Sequence, residues 1–142
     1  MTRLATPQDA ALWLHQRVRG ALHTDSRQVT AGDGFIAWPG AATDGRRFVA
    51  GALAQGATAC LIEQDGAEAF GFDDAAIATY GALKAASGPI AAAYYEQPSQ
   101  ALSVVAITGT NGKTSSAWWL AWALSKLQLS AFSPSALVGT LG

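Results

Sequence analysis

Cysteine is nearly absent from this chain. Cys60 stands alone among 142 residues, so no internal disulfide can form, and the usage fits a reducing compartment, the cytoplasm. Charge is scarce as well: only 13% of residues are charged and the formal net charge is -1, which leaves no basic field to hold nucleic acid. No apolar stretch is long enough to span a bilayer, so membrane insertion is not expected. The N-terminal MTRLATPQDAALWL also lacks the basic-then-apolar layout of a signal peptide. His15 and His23 have no cysteine or histidine partner at metal-ligand spacing, and surface roles are expected for both. There is no internal repeat and no low-complexity tract beyond an alanine bias. What the chain does have is apolar content: 50% of its residues are hydrophobic, enough to bury a core at a length of about one domain.

Local signals order the first hundred positions. In TPQDAALWLHQRV, Thr6 can cap a helix, Pro7 suits its first turn, and Asp9 is favoured near the positive end. HTDSRQVTAGDGFIAWPG reads as a polar segment, a turn at Gly32-Asp33-Gly34, and a strand from Phe35 to Trp38. A loop through Ala41 and Gly45 leads to a helix from about Arg46 to Gln55, stopped by Gly56. Thr58 to Glu63 is a strand containing a buried Cys60, Asp65 to Asp74 a polar loop, and Ala75 to Thr79 another strand. Gly81 to Glu96 is a helix that Pro89, following Gly88, should kink or break. EQPSQ, 96 to 100, is a linker.

Beyond the linker lies the stretch that carries chemistry, SVVAITGTNGKTSSAWW. Ser103 to Thr108 is a β-branched and apolar run that suits a buried parallel strand. Gly109 and Gly112 allow backbone angles that a Cβ forbids, so the amides of Gly109, Thr110, Asn111 and Gly112 can face a polyphosphate. Thr114, Ser115 and Ser116 open a helix whose first amides favour the same anion. In such a loop Lys113 reaches the β- and γ-phosphates and the Thr114 hydroxyl ligates Mg²⁺, which makes Lys113 and Thr114 the catalytic candidates and Gly109 to Ser115 the ATP site. The plain alternative is a glycine-rich turn with a solvated lysine. Ile107 stands where the usual G-x-x-x-x-G-K-[ST] pattern has its first glycine, which argues against an ordinary kinase or GTPase but not against ATP.

The following helix carries Trp118, Trp119, Leu120, Trp122, Leu124 and Leu127 around nearly its whole circumference. Burial on more than one side is expected, with the tryptophans as core rather than a stacking platform. From Ser103 to Gly142 there is room for one strand, one helix and a second strand, less than a doubly wound sheet requires. The expected architecture is therefore α/β: a small N-terminal domain, 1–99, followed by the truncated start of a P-loop parallel-sheet ATP-binding domain, 100–142. Residues 1–142 by themselves are expected to be inactive, and the apolar helix to be hidden against the N-terminal part, against another copy, or else mobile.

ITGTNGKTS resembles the ATP loop of the Mur ligases and their folylpolyglutamate synthetase relatives, which lack the first glycine. Upstream, Asp25-Ser26-Arg27, then G-D-x-F-x-A from Gly32 to Ala37, then G-x-x-x-D-G from Gly40 to Gly45, then a helix and Gly56-Ala57, resemble the N-terminal domain of the Mur ligases that add the third and fourth amino acids. Thr110-Asn111 and the terminal VGTLG, 138 to 142, are similar to the third-adding branch. The resemblance implies an ATP- and Mg²⁺-dependent ligase of peptidoglycan synthesis. It phosphorylates the D-glutamyl carboxylate of UDP-N-acetylmuramoyl-L-alanyl-D-glutamate and lets a diamino acid, meso-diaminopimelate or L-lysine, attack the acyl phosphate. It further implies a UDP-binding N-terminal domain, with Thr24 and Ser26 and the backbone of Ala41, Ala42 and Thr43 at the uridine end, and a whole protein that is a monomer. A ligase adding D-alanyl-D-alanine, another P-loop phosphotransferase and a non-catalytic UDP-sugar-binding module are the alternatives.

Each residue also has a local reading. Asp25, Ser26 and Arg27 could form a turn with an internal ion pair. Asp44-Gly45 could be a helix cap. Arg46 and Arg47 at a helix start are expected to be solvated, and Asp73 and Asp74 to be a loop or cap pair.

Overall fold

The computed structural model of the chain describes residues 1–127 and 135–139. The chain divides into two compact units, Met1–Gln97 and Pro98–Gly142.

The first unit is built on a five-stranded sheet in which every pairing is parallel, with strand order β1-β5-β4-β3-β2. The strands are β1 Thr2–Leu4, β2 Leu22–His23, β3 Gly34–Ala37, β4 Ala59–Glu63 and β5 Ile77–Tyr80. Helix α1, Pro7–His15, starts where the sequence indicates: Thr6 Oγ1 accepts from the Asp9 amide at 3.1 Å while the Asp9 carboxylate accepts from the Thr6 amide at 3.2 Å. The expected helix at Arg46 is in two parts, a 3₁₀ turn Gly45–Phe48 and then α2, Val49–Ala54. The expected polar loop contains a further 3₁₀ turn, Ala67–Phe70.

Because successive side chains of a strand face opposite ways, the central strands supply two cores. Leu4, Ile36, Ala59, Leu61, Ala78 and Tyr80 pack under α1 and α3 (Leu83–Tyr94), and Phe35, Ala37, Cys60, Ile62 and Ile77 pack under α2. Every residue of β3, β4 and β5 is buried, as a parallel sheet covered on both faces requires. Burial pushes the Cys60 thiol up to about 12, so it remains an uncharged core group.

Three expectations fail here. Helix α3 runs unbroken through Pro89. The ring removes one amide from the ladder, but Leu83, Ile90 and Tyr94 are buried against the sheet and α1, and that packing holds the helix together. Strands β1 and β2 were not expected, since two or three residues carry no periodicity. His23, expected on the surface, is partly covered and places Nε2 3.2 Å from the Asp33 carboxylate.

In the second unit, α4 spans Lys113–Leu127. Ser103 to Thr108, expected to be a strand, is in no ladder, and Val104 and Val105 are 71% and 62% exposed. A β-branched run is a strand only when another strand satisfies its backbone, and among the described residues of this unit there is none. The burial expected for α4 is absent too: none of its residues is buried, and Trp118, Trp119 and Trp122 form an exposed edge-to-face ladder with centroids 5.0 and 6.0 Å apart. The expected second strand after Leu127 and the end of VGTLG lie largely outside the described residues. Among the described residues no helix is long and apolar enough to cross a membrane.

Candidate functional site

Parallel strands end together, so the loops leaving their carboxyl ends line one edge of the sheet. Thr24 directly follows β2, and the loop containing Ala41, Ala42 and Thr43 follows β3, the hydrogen-bonded neighbour of β2. The topology thus brings these two candidate segments to the same edge. Thr24 and Ala41 to Thr43 are exposed and Ser26 is half-buried. The local reading of Asp25 holds: its carboxylate caps the Arg27 amide at 3.0 Å and pairs with the Arg27 guanidinium at 2.7 Å, which holds the carboxyl down to about 2.

The β3 loop is a tight return. Pro39 bridges to Asp44, the Gly40 amide donates to the Thr43 carbonyl at 2.9 Å, and the Gly45 amide donates to Trp38 at 3.0 Å. A Cβ on Gly40 would meet the Thr43 carbonyl at 2.8 Å, so this position excludes other residues. Asp44 caps the following turn through the Arg46 amide at 3.0 Å, as the sequence suggests.

Arg46 does not behave as expected. It is 6% exposed rather than solvated. Its Nε and Nη2 chelate the Asp44 carboxylate at 3.0 and 2.8 Å, Nη1 donates to the Glu63 carbonyl at 3.3 Å and to that of Asp65, and the guanidinium lies 4.9 Å from the Phe70 ring centroid. The arginine is buried because the end of β4 and the loop leaving it supply carbonyls for its remaining Nη1 donor, which a sequence-local reading cannot see. The paired guanidinium holds the Asp44 carboxyl below the usual carboxylate range.

Beside it, Glu63 ends β4 with a buried carboxylate that accepts from the amides of Ala82 at 3.2 Å, Leu83 at 2.7 Å and Asp65 at 3.3 Å. The chain itself thus occupies the first amides of α3. The connection leaving β4 packs on the α2 face and the one leaving β5 becomes α3 on the other face, so a topological switch point lies between them. An open crevice of about 360 Å³ sits there, lined by Trp38, Pro39, Glu63, Asp65, Ala82 and Lys84. Glu63 and Arg46 are the residues that sequence reasoning missed. The only signal was a charged residue closing the apolar run ATACLIE.

At the opposite edge Asp33 is a structural rivet. It accepts from the Thr30 amide and hydroxyl and from the Ala21 amide, each at 2.8 Å, and these donors hold its carboxyl down to about 2.

The second unit carries the glycine loop on its own. Gly109 has φ +151° and Gly112 φ +74°, conformations that side chains resist, and Lys113 opens α4 immediately after. Lys113 Nζ folds back over the loop, donating to the carbonyls of Gly109 at 2.6 Å and Thr110 at 3.4 Å. Thr114 and Ser115 stand exposed on the first turn. This geometry fits a phosphate: two positive-φ glycines, a helix N-terminus and an exposed cation converge on one short loop. Among the described residues no group of three or more histidine, cysteine or carboxylate side chains could hold a metal ion, so a cation here would depend on Thr114 and on phosphate oxygens.

Similarity to known proteins follows the same layout. The chain is 57% identical to the UDP-N-acetylmuramoyl-L-alanyl-D-glutamate--2,6-diaminopimelate ligase of Acidovorax sp. (strain JS42), over 98% of this chain and 28% of that protein. It is 45% identical to the ligase of the same name from Janthinobacterium sp. (strain Marseille), over 87% and 24%. It therefore spans about a quarter of the length of the curated relatives it matches. Among solved structures, MurF from Acinetobacter baumannii superposes with a TM-score of 0.62 at 29% identity, covering 86% of this chain and 28% of that one. The Mur ligase family, catalytic domain, matches residues 20–106, from just before β2 through the rest of the first unit and into the start of the second, short of the glycine loop. On that match and on the fold beneath it, the chain belongs to the Mur ligase family.

Proposed function

We propose that this chain is the part of an ATP-dependent peptidoglycan ligase that binds UDP and holds the phosphate loop, and that the whole protein joins 2,6-diaminopimelate to UDP-N-acetylmuramoyl-L-alanyl-D-glutamate in the cytoplasm. The observation that carries this reading is the 57% identity to a ligase of that name along 98% of the chain, against 29% to a UDP-N-acetylmuramoylalanyl-D-glutamyl-2,6-diaminopimelate--D-alanyl-D-alanyl ligase. In this reading Thr24 and Ser26, with the backbone of Ala41, Ala42 and Thr43, receive the uridine end of the substrate at the carboxyl edge of the sheet. Gly109 to Ser115 hold the ATP phosphates. Lys113 exchanges the carbonyls of Gly109 and Thr110, its present partners, for phosphate oxygens, and the Thr114 hydroxyl ligates Mg²⁺. When bound, Mg²⁺ supplies further positive charge where the phosphoryl group leaves ATP for the D-glutamyl carboxylate, ahead of attack by the amine.

The test is Lys113→Ala in the full-length ligase. ADP release should fall by about a hundredfold or more, while affinity for the UDP-linked substrate should change little, because the two ligands use different units. ADP release near the wild-type rate would reject the loop assignment.

A further inference from the structure

Ala41, Ala42 and Thr43 are exposed and cannot set their own conformation through side-chain packing. Two backbone hydrogen bonds close the loop on itself, Gly40 to Thr43 and Gly45 to Trp38, and the next residue, Asp44, is its only side-chain tether among the described contacts. That tether leads to one group. The Arg46 guanidinium chelates Asp44, spends Nη1 on the carbonyls that follow β4, and lies over Phe70. It thus ties the loop after β3 to the loop after β4, at the edge where Glu63 ties β4 to the start of α3.

We propose that Arg46 is a positioning residue for the uridine end of the substrate: through Asp44 it sets the backbone of Ala41 to Thr43 in the shape that receives the ligand. This rests on the functional reading above and adds to it a residue that never touches the ligand. The chelate needs a planar fork with donors on separate nitrogens. A lysine keeps the charge but brings a single nitrogen, so it can hold Asp44 or the β4 carbonyls but cannot reproduce both sets with that geometry.

The experiment titrates UDP-N-acetylmuramoyl-L-alanyl-D-glutamate into the wild-type chain, Arg46→Lys, Asp44→Asn and Ile90→Val by calorimetry, and follows amide hydrogen exchange at Gly40, Gly45 and Leu61. Ile90, a fully buried residue of α3 that packs in the core under α1 and α3, on the sheet face opposite α2, reports what loss of general stability does to binding. Arg46→Lys should bind about tenfold more weakly or worse, the scale of a misplaced binding group. The Gly40 and Gly45 amides should exchange faster while Leu61 stays protected, and Ile90→Val should bind as wild type does. Asp44→Asn should weaken binding in the same direction, which keeps the test open if Arg46→Lys folds poorly. Unchanged affinity in Arg46→Lys and Asp44→Asn, with wild type binding, overturns the positioning role and leaves the functional reading standing. Equal weakening in Ile90→Val also overturns it. No binding to wild type overturns both.

Discussion

Asp25–Arg27 and Asp44–Arg46 are one local device in two settings. Each aspartate opens a 3₁₀ turn, caps the amide two residues on, and is chelated by the arginine that carries that amide. The arginine side chains differ: Arg27 is 88% exposed and Arg46 7%. Arg27 ends in solvent after meeting Asp25, whereas Arg46 reaches the carbonyls of Glu63 and Asp65 and the face of Phe70. Spacing therefore specifies the ion pair, and the surroundings decide whether it is a surface ornament or a tie between loops. An exposed pair is screened and entropically costly to hold, so it contributes little. Removing one partner of a buried pair leaves a charge without compensation.

The largest separation between the two settings should come from removing each arginine. Arg46→Ala should destabilise the first unit by about 3 kcal/mol, from an orphaned Asp44, unsatisfied carbonyls and lost packing on Phe70. Urea unfolding followed by circular dichroism measures it, and a change no greater than that of an exposed site would erase the distinction.

Acid should sharpen the comparison with a smaller effect. Both carboxyls are held below their ordinary value, Asp44 by Arg46 and Asp25 by Arg27, the latter at about 2. A folded-state value below the unfolded one stabilises the fold above about pH 4 and is lost as pH falls through the folded value. For Asp44 that loss should appear as a steepening of stability against pH below about 4, flattened in Asp44→Asn. The partner of Asp25 is an exposed arginine whose pairing solvent screens, so the low value of Asp25 carries little linkage. Asp25→Asn should therefore leave the acid profile unchanged, and a flattened profile there would break the argument. Smallest of all, Arg27→Ala should leave the urea midpoint at the wild-type value.

A second pair of segments shows how far sequence carries a strand. Phe35-Ile36-Ala37 and Val104-Val105-Ala106-Ile107 have the same apolar, β-rich character. The first is buried between two paired neighbours and the second is in no ladder. Pattern reports a tendency; a ladder also requires a second strand at the right register. Likewise Pro89 predicted a kink or a break in α3, and the packing of Leu83, Ile90 and Tyr94 carries the helix through without the break. The candidate site was half legible. Asp25, Asp44, the Gly40 turn and the glycine loop announced themselves through short-range chemistry. Arg46 and Glu63 did not, because their partners lie 17 to 20 residues away in sequence.

What the sequence determined by itself is whatever acts within a few residues: the Thr6–Asp9 cap of α1, the positions of β3 and β4 to within a residue at each end, the two Asp-x-Arg turns, and the two glycines that let the loop before α4 bend. Capping bonds and turn angles are set by neighbouring residues and survive any rearrangement beyond them. Tertiary structure alone decided the parallel order β1-β5-β4-β3-β2, the two short strands at its edges, the passage of α3 through Pro89, and the burial of Arg46. Each of these depends on groups brought together from distant parts of the chain, whose hydrogen bonds and packing outweigh the local preference only once the sheet has formed.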